Sequence, residues 1–528
     1  MTAPVLIAGQ WRDARDAEGT FTATDPSTGQ SLPDAYPISS EREINEACEA
    51  GAAAVAAARA LPDFTERVAA FLDGYADRID AAADALCEMA ARETAYPITP
   101  RLKAVELPRT TNQLRQGAAA ARNRSWSHVT IDTKTNIRSR YEPLGGPVVV
   151  FGPNNFPFAF NSVAGGDFVA AIAAGNPVIG KANTGHPGTT RLFAELALEA
   201  VKAAGLPAAW VQLVYRTNPN VGFALVSHPL VAATGFTGSK SAGVQLKAAA
   251  EKAGKPIYLE MSSVNPIFVL PGALRERGAA IAKELFDSCA LGAGQFCTRP
   301  GLTIVQDDEQ ARAFVNEASG LFAGATPGTL LGTSGRQAIG EALKVLTAHG
   351  AEILAGGKPI DGGRISFAST LLRTTGTAFL ADPHALQTEA FGTVNMIVVV
   401  KDEAEMTRVA ASLEGNLTGC VYSDTNGSDD TQYARLTPVL RQKVGRLLND
   451  KMPTGVAVSP AMNHGGPYPA TGHPGFTAVG IPASLLRFAA LCCYDNVRAH
   501  RLPPELQDKN PTGTMWRFVD GTWTTKDI

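Results

Sequence analysis

The segment Pro147-Val-Val-Val-Phe151 is a short run of β-branched and aromatic residues that stops at Gly152-Pro153. Runs of the same kind follow it at 177–181, 210–214, 231–236 and 256–261. Helical patterns lie between them, near 162–174, 188–204, 218–227 and 239–253. Strands and helices that alternate in this way, with glycine or proline at the changes, are typical of an open, mostly parallel sheet with helices on both faces. The sequence therefore predicts an α/β fold around residues 147–261.

The regions outside this core predict a helical scaffold upstream and a second α/β unit downstream. Ser40-x-x-Glu43 is a capping box that predicts a helix to about residue 60. Alternation resumes after residue 261 and continues into the 480s, whereas the tail from about 490 is proline-rich and expected to be irregular. With 528 residues, 45% of them hydrophobic, the chain is long enough for two or three domains.

Charge and cysteine content restrict the class of protein. The formal net charge is -3 and the basic residues are dispersed, so a small neutral or anionic metabolite is expected as partner rather than nucleic acid or a membrane. Residues 1–9 have no basic region before their apolar stretch, and no later segment has about 18 uninterrupted apolar residues. The seven cysteines are scattered without a C-x-x-C pair, so neither a disulfide framework nor a metal site is expected. These features predict a cytoplasmic protein.

Polar positions gather at the ends of the predicted strands. In an open α/β sheet, ligands bind beyond the carboxyl ends of the strands. The positions at or just past those ends are Asn154, Asn155, Lys181, Gly238, Ser239 and Glu260. Gly238-Ser239 also opens a predicted helix, whose free backbone N–H groups and positive dipole suit a pyrophosphate. Its place in the strand–helix series favours that function over a plain turn.

Two glycine-containing segments begin like nucleotide-binding motifs but do not complete them. The segment from Gly175 to Lys181 starts like a P-loop, but Ala182 stands where Ser or Thr must bind magnesium, and 177–179 predicts a strand. Gly292-Ala-Gly294 starts like a dinucleotide fingerprint, but Cys297 occupies the position of its third glycine. An ATPase or kinase is therefore disfavoured.

Two reactive side chains stand out. Cys297 lies in a polar, glycine-containing stretch near Arg299, where a thiolate can be favoured. Glu260 ends a strand that should be buried, and burial would raise its pKa towards that of a general base; a salt bridge to Lys255 is the plainer alternative. Most cysteines are inert core residues, which is the interpretation of Cys48, Cys87, Cys289 and Cys420.

In this order and spacing the motifs resemble the aldehyde dehydrogenase superfamily over nearly the whole chain. The matching elements are Asn155-Phe-Pro157, Lys181, Phe236-Thr-Gly-Ser239, Glu260, Gly294-Gln-Phe-Cys297 and Glu389-Ala-Phe-Gly392. The resemblance implies that an aldehyde is oxidised to its acid through a thioester on Cys297, with Glu260 as general base and Asn155 as oxyanion donor beside the Cys297 backbone N–H. The residues that it assigns to the cofactor are Lys181, Thr184, Gly238, Ser239, Glu389 and Phe391.

The resemblance also implies an architecture. Residues 1–125 and 142–259 would form a Rossmann-type cofactor-binding domain, 260–488 an α/β catalytic domain, and 126–141 with 489–528 a small oligomerisation arm. A homodimer or homotetramer is expected. The chain departs from the family pattern at Ser262-Ser263, Lys181-Ala-Asn183 and Thr393. These departures bear on cofactor packing and preference rather than on the reaction type.

Within the superfamily the chain most resembles the α-ketoglutaric semialdehyde (2,5-dioxovalerate) dehydrogenases. The segments that carry this likeness are Gly294-Gln-Phe-Cys-Thr298, Asn463-His-Gly-Gly-Pro-Tyr-Pro-Ala-Thr471 and Leu502-Pro-Pro-Glu-Leu506. It implies 2,5-dioxovalerate as substrate and 2-oxoglutarate as product, with fatty or other aliphatic aldehydes as the alternative. Arg299, close in sequence to Cys297, is the candidate anchor for the distal carboxylate, with a structural salt bridge as its other role.

The residues after Lys181 bear on the choice of cofactor. They are Ala, Asn, Thr, Gly and His at 182–186, and no acid follows before Glu195. An NAD site often places a carboxylate against the ribose 2′-OH, whereas a 2′-phosphate needs neutral or positive donors. In the family, the position of Thr184 is commonly acidic in members that prefer NAD+. We therefore expect NADP+, with NAD+ as the alternative.

Two other classes of function stay open from the sequence. A thiol hydrolase or acyltransferase would use Cys297 with one of the eight histidines, such as His464 or His473, and would need no nicotinamide. A non-catalytic protein could retain the same fold, because fold alone does not establish function.

Overall fold

The five strands predicted between 147 and 261 form the parallel part of a seven-stranded sheet in the computed structural model, which describes residues 2–528. In spatial order its strands are Ile257–Glu260, Ala233–Thr237, Val148–Phe151, Val178–Lys181, Val211–Val214, Val5–Ile7 and Gln10–Arg12. The first five are parallel, and Val5–Ile7 is antiparallel to its neighbour. Val148–Phe151 is buried along its whole length, as expected for a parallel strand in the interior of a sheet. The strand prediction is confirmed.

Helices connect these strands and extend the scaffold upstream. The α-helices of this half are Glu41–Ala58, Phe64–Ala81, Ala83–Thr94, Leu107–Asn123, Gly166–Ala173, Pro187–Ala204, Pro219–Ser227 and Lys240–Lys252. A π-type segment, Ile98–Glu106, precedes the fourth of them. The first helix begins after Ser40, whose hydroxyl accepts a hydrogen bond from the Glu43 backbone N–H, so the predicted cap is confirmed. Across residues 2–528, no helix has both the length and the hydrophobicity that a bilayer crossing needs.

A second seven-stranded sheet follows in the chain. Its strands, in spatial order, are Glu352–Ala355, Thr370–Thr375, Val394–Val400, Leu302–Gln306, Ile267–Val269, Asn416–Tyr422 and Val444–Asn449. Its helices are Pro271–Ala290, Glu309–Ala323, Thr333–Ala348, Gly376–Ala381, Glu403–Ser412 and Asp430–Arg441. All neighbouring strands are parallel except Glu352–Ala355, which is antiparallel at the edge. The alternating pattern after residue 261 therefore indicated the right fold class.

The C-terminal tail is more regular than expected. Its strand Ala489–Asp495 pairs in antiparallel register with Ile137–Pro143 over seven residue pairs. The complete five-stranded sheet is Ala489–Asp495, Ile137–Pro143, Thr130–Asp132, Arg517–Val519 and Thr522–Thr524. Prolines at 503, 504 and 511 suggested an irregular tail, but they fall between the strands rather than inside them. The domain boundaries at 125, 141, 259 and 488 stay a prediction.

Two short antiparallel pairs complete the strands. Thr20–Asp25 pairs with Gln30–Pro37 near the N-terminus, and Pro359–Ile360 pairs with Ser366–Phe367 in the second half. Neither pair contributes to the carboxyl edge of the first sheet, where the predicted site lies.

Candidate active site

The strand order of the first sheet reverses beside Val148–Phe151. The chain proceeds from this strand to Val178–Lys181 and Val211–Val214 on one side, then returns to Ala233–Thr237 and Ile257–Glu260 on the other. Ligands of open α/β sheets bind in the crevice at such a reversal. Asn155 follows the first strand of the reversal and Gly238-Ser239 follows the second.

The loop that carries Cys297 is shaped by three consecutive residues with positive φ. After the helix Pro271–Ala290 the backbone turns through Gly292, Ala293 and Gly294, with φ of 58°, 56° and 72°. A Cβ on Gly294 would lie 2.1 Å from the carbonyl carbon and oxygen of Gly392, so only glycine fits there. This close approach packs the loop after Glu389 against the loop of the cysteine.

An imidazole lies between the cysteine and the carboxylate. His464 Nε2 is 3.3 Å from Cys297 Sγ and 3.1 Å from Glu260 Oε1. The carboxylate and the imidazole are deeply buried, with Glu260 1% and His464 2% exposed. Glu260 Oε2 is also buried and has no hydrogen-bond partner within residues 2–528. In the tautomer that carries its proton on Nδ1, the histidine can take the thiol proton at Nε2, while the second carboxylate oxygen stays available to a water molecule.

Burial raises the pKa of the Cys297 thiol well above its usual range, the charge of Glu260 adds to that rise, and the charge of Arg109 opposes it. Burial likewise raises the pKa of Cys48, Cys289 and Cys420, each to about 12. The pKa therefore does not separate the nucleophile from the core cysteines. What distinguishes Cys297 is the base within hydrogen-bond distance and its place on the wall of a cavity.

Asn155 is buried against the cysteine loop. Its side-chain amide donates a hydrogen bond to the Gln295 backbone carbonyl at 2.8 Å. The backbone carbonyl of Asn155 accepts hydrogen bonds from the Tyr96 hydroxyl and from Arg101 Nη2, both at 3.2 Å. Contacts on both sides hold this amide beside the nucleophile, and one of its two N–H groups is left for a substrate oxygen.

The predicted cofactor residues of the first sheet line its carboxyl edge. Ser239 caps the helix Lys240–Lys252, accepting from the Ala242 N–H at 3.4 Å, and is exposed, so the free N–H groups of this helix can meet an anion. Lys181 ends its strand, where burial and the charge of Arg216 lower its pKa to about 8. Thr184 is exposed on the following loop. That arrangement fits an anionic dinucleotide.

Arg216 was missed in the sequence. It lies two residues past the strand Val211–Val214, at the same sheet edge as Lys181, and its side chain is exposed. Its charge acts on Lys181. Its position beyond a strand end was the available signal, but Arg216 belongs to no recognisable motif. The nearest acid after Lys181, Glu195, is paired with Arg191 at 2.9 Å.

Glu389 and Phe391 lie on the second half of the chain, facing the first. Glu389 lines a cavity of about 270 Å³ together with Lys240, Ser262 and Glu414, and Lys240 forms a 3.6 Å ion pair with Glu414. Burial raises the pKa of Glu389, whereas the charge of Arg299 and the hydrogen bonds from Ser262 and Ser263 lower it by a smaller amount. Phe391 is half-buried just before Gly392.

The prediction that Arg299 anchors substrate is wrong. Its guanidinium is 2% exposed and donates to the backbone carbonyls of Pro300, Ala390 and Val394. These bonds fasten the loop of Glu389 to the loop of Cys297. Closeness in sequence was misleading because the side chain two residues after the nucleophile turns into the core.

A separate cavity of about 410 Å³ reaches Cys297 and His464. Its apolar wall includes Tyr96, Phe156, Phe160, Phe296 and Val456. Two guanidinium groups also line it, those of Arg101 and Arg109. Sequence analysis did not find either arginine, because both lie in the helical segments 98–123, which carry no motif at a strand end.

Similarity to known proteins agrees with this geometry. The family model described as "Aldehyde dehydrogenase family" matches residues 11–437. The chain belongs to the aldehyde dehydrogenase family. It is 41% identical to alpha-ketoglutaric semialdehyde dehydrogenase 2 of Azospirillum brasilense, over 99% of both chains, and 36% identical to alpha-ketoglutaric semialdehyde dehydrogenase of Acinetobacter baylyi, over 92% of this chain and 93% of the other. This aldehyde dehydrogenase therefore oxidises an aldehyde to an acid.

Solved structures share the fold of the dehydrogenase. Lactaldehyde dehydrogenase from Escherichia coli superposes with a TM-score of 0.80 at 21% identity, covering 93% of this chain and 98% of the other. NADP-dependent glyceraldehyde-3-phosphate dehydrogenase from Bacillus halodurans, complexed with NADP, gives 0.76 at 22% identity, covering 94% and 100%. An aldehyde dehydrogenase from Bacillus cereus is known with NAD+ and gives 0.78 at 20% identity, covering 94% and 96%. The family uses NAD+ or NADP+.

The two histidines considered for a thiol hydrolase differ in position. His464 contacts Cys297, whereas His473 is exposed, with Nδ1 accepting from the Gly475 N–H at 2.9 Å. The cysteine–histidine contact that a thiol hydrolase would need is therefore present, but the chain that contains it belongs to the aldehyde dehydrogenase family. The readings as a hydrolase and as a non-catalytic protein lose their support.

Proposed function

We propose that this dehydrogenase oxidises α-ketoglutaric semialdehyde (2,5-dioxovalerate) to 2-oxoglutarate, with NADP+ as its preferred cofactor. Both relatives named above carry this substrate in their names. The observation that carries the proposal is the excess of positive charge in the cavity beside Cys297, which is lined by two arginines but only one acid, Glu106, and that acid is paired with Arg101. Arg109 has no ion-pair partner among residues 2–528, and an aliphatic aldehyde gives it none, whereas a semialdehyde with a distal carboxylate does.

In the first step, His464 Nε2 takes the proton of the Cys297 thiol. The thiolate then forms a C–S bond to the aldehyde carbon, and the carbonyl oxygen becomes an oxyanion. One N–H of the Asn155 amide and the Cys297 backbone N–H stabilise that charge, each being worth about 3–4 kcal/mol in such sites. The 3.3 Å contact between Sγ and Nε2 supports this role of the histidine.

In the second step, the tetrahedral carbon loses hydride and becomes a thioester on Cys297. A bound nicotinamide supplies the hydride acceptor. The residues that would hold the dinucleotide are Lys181, Thr184, Gly238, Ser239, Glu389 and Phe391. Contact between the loops of Glu389 and Cys297, through Gly392 and Gly294, supports a shared position for cofactor and nucleophile.

In the third step, Glu260 removes a proton from water as the oxygen adds to the thioester carbon. The C–S bond breaks, the acid leaves, the Cys297 thiolate takes its proton back from His464, and Glu260 releases the water proton to solvent. Oε2 of Glu260 is buried without a partner among residues 2–528, which supports its availability for this water.

The preference for NADP+ rests on charge at the edge of the first sheet. Lys181 and Arg216 are both cationic there, Thr184 is neutral, and Glu195 is occupied by Arg191. A 2′-phosphate would gain charge-assisted hydrogen bonds that a 2′-OH cannot make. At least a tenfold preference of kcat/KM for NAD+ would contradict this part of the proposal.

A homodimer or homotetramer is part of the proposal. The strand Ala489–Asp495 forms one edge of the five-stranded sheet, and Leu491 on it is 62% exposed. A long, open strand edge with apolar side chains favours pairing with another chain. Sedimentation at micromolar concentration tests it, and a monomer would refute it.

The substrate is tested by steady-state kinetics with NADP+, comparing α-ketoglutaric semialdehyde with hexanal. We expect kcat/KM for the semialdehyde to be higher by about 100-fold, which is the selectivity of a well-made charged contact. Equal or greater efficiency with hexanal would favour the aliphatic alternative instead.

A further inference from the structure

The two arginines of the substrate cavity are held in different ways. Arg101 is neutralised by Glu106, with Nη1 and Oε2 2.7 Å apart, and its Nη2 donates to the Asn155 carbonyl at 3.2 Å. Its guanidinium also lies over the rings of Tyr96, Phe156 and Phe296. Only Nε is left without a partner among residues 2–528. Arg101 therefore serves the wall of the cavity and the position of Asn155.

Arg109, in contrast, has one edge of its guanidinium, formed by Nε and Nη2, without hydrogen-bond partners among residues 2–528. Its Nη1 donates to the Val456 carbonyl at 2.7 Å, whereas Nε and Nη2 are buried and have no hydrogen-bond partner within the described residues. Nε and Nη2 are adjacent donors on one side of the planar guanidinium, the pair that binds a carboxylate with two parallel hydrogen bonds. Unpaired donors of a buried cation are costly, so a ligand that pairs them is strongly favoured.

The position of this edge is fixed by its surroundings. The guanidinium carbon of Arg109 lies 5.4 Å from the ring centroid of Phe160 and 5.9 Å from that of Phe156. The same rings line the cavity that reaches Cys297. Because Arg109 also lowers the pKa of Cys297 against the effect of burial, its charge is felt at the nucleophile.

We propose that Nε and Nη2 of Arg109 form the carboxylate subsite of the substrate cavity, so that the enzyme selects aldehydes whose distal end carries a carboxylate. This inference rests on the proposed function for the identity of the preferred aldehyde, but it concerns the class of substrate. The ligand is an ω-oxo carboxylate whose aldehyde reaches Cys297 while its carboxylate pairs with Arg109.

The test uses two aldehydes of equal length, 5-oxopentanoate and pentanal, which differ in a carboxylate against a methyl group. In Arg109→Gln we expect KM for 5-oxopentanoate to rise about 10- to 100-fold, while KM for pentanal changes less than about twofold. Arg109→Lys keeps the charge but loses the paired donors, so its KM should fall between wild type and Arg109→Gln. An equal rise for both aldehydes would overturn the subsite.

Arg446→Gln is the matched control. Arg446 donates to the carbonyls of Gly455 and Pro453 and so holds the same loop that Arg109 holds through Val456, but it does not line the cavity. If Arg109 acted only by fastening this loop, Arg446→Gln would reproduce the loss of selectivity, and that result would refute the subsite. We expect Arg446→Gln to leave the ratio of the two KM values unchanged.

A binding measurement removes the dependence on turnover. Glutarate should slow alkylation of Cys297 by iodoacetamide in wild type and fail to do so in Arg109→Gln; equal protection in both proteins would count against the subsite.

Failure of the proposed function can be distinguished from failure of the subsite. If α-ketoglutaric semialdehyde is no better than hexanal while 5-oxopentanoate still depends on Arg109, the proposed substrate fails and the subsite stands. If the semialdehyde is preferred equally by wild type and Arg109→Gln, the subsite fails and the substrate stands.

Discussion

In the proposed mechanism the cofactor edge and the substrate cavity meet at Cys297, but the two regions are built differently. At the cofactor edge, Lys181 ends one strand and Ser239 follows another strand of the same sheet; Lys181 is half-buried and Ser239 is exposed. In the substrate cavity, Cys297, His464 and Arg109 come from segments more than 150 residues apart and lie in an apolar wall. The cofactor edge repeats one local arrangement, a polar residue at the end of a strand. The substrate cavity forms only when segments that are distant in the sequence pack together. Recognition of a common cofactor can therefore stay constant while the cavity changes its substrate.

The largest expected effect is at the point where the two regions meet. Cys297→Ala should lower kcat/KM by about 10⁴-fold or more, because the thioester cannot form. Cofactor affinity, measured by fluorescence titration, should change little. Cys289→Ser is the control, since Cys289 is a buried core thiol that donates a hydrogen bond to the Pro300 carbonyl. Activity retained in Cys297→Ala would refute the nucleophile.

The oxyanion donor belongs to the same junction. Asn155→Ala should reduce kcat by roughly 10²- to 10³-fold, the usual effect of removing one such donor, with a smaller change in KM. Asn154→Ala is the matched control, because Asn154 is the adjacent residue of the same type and its side chain is exposed. If both variants lost activity equally, the loop rather than the Asn155 amide would be responsible.

The cavity side is tested through His464. His464→Gln should lower kcat/KM by about 10²-fold and move the pH profile of Cys297 alkylation to higher pH. The sign follows from the raised pKa of Cys297, because without a neighbouring base the buried thiol stays protonated until a higher pH. His473→Gln, at an exposed position, should leave the profile unchanged. An unaltered profile in His464→Gln would exclude proton transfer to this histidine.

The smallest effect is expected at the cofactor edge. Lys181 has a pKa lowered to about 8, so it is cationic below that pH and neutral above it. The KM for NADP+ should therefore rise a few-fold between about pH 7 and 9, as one charge-assisted contact is lost. Lys181→Arg should flatten this rise, because arginine stays protonated. A rise of the same size in Lys181→Arg would assign it to another group.

The predictions from sequence are confirmed where structure follows from local order along the chain. The run Pro147-Val-Val-Val-Phe151 and its successors determined a parallel sheet, because alternation of buried strands and helices leaves few other topologies. Lys181 and Glu260 then lie at one edge, since parallel strands end together. Arg299 shows the limit of such reasoning: closeness in sequence to Cys297 did not place its side chain in the cavity.

By itself, the sequence determined the sheet and its carboxyl edge, and it predicted Cys297 as the nucleophile. Only the tertiary structure decided that His464 lies between Cys297 and Glu260, and that Arg109 turns a free edge within the cavity wall. The physical reason is that hydrophobic periodicity and sequence motifs identify residues that are neighbours along one strand or helix. Contacts between distant segments depend instead on how the side chains of those segments pack against each other.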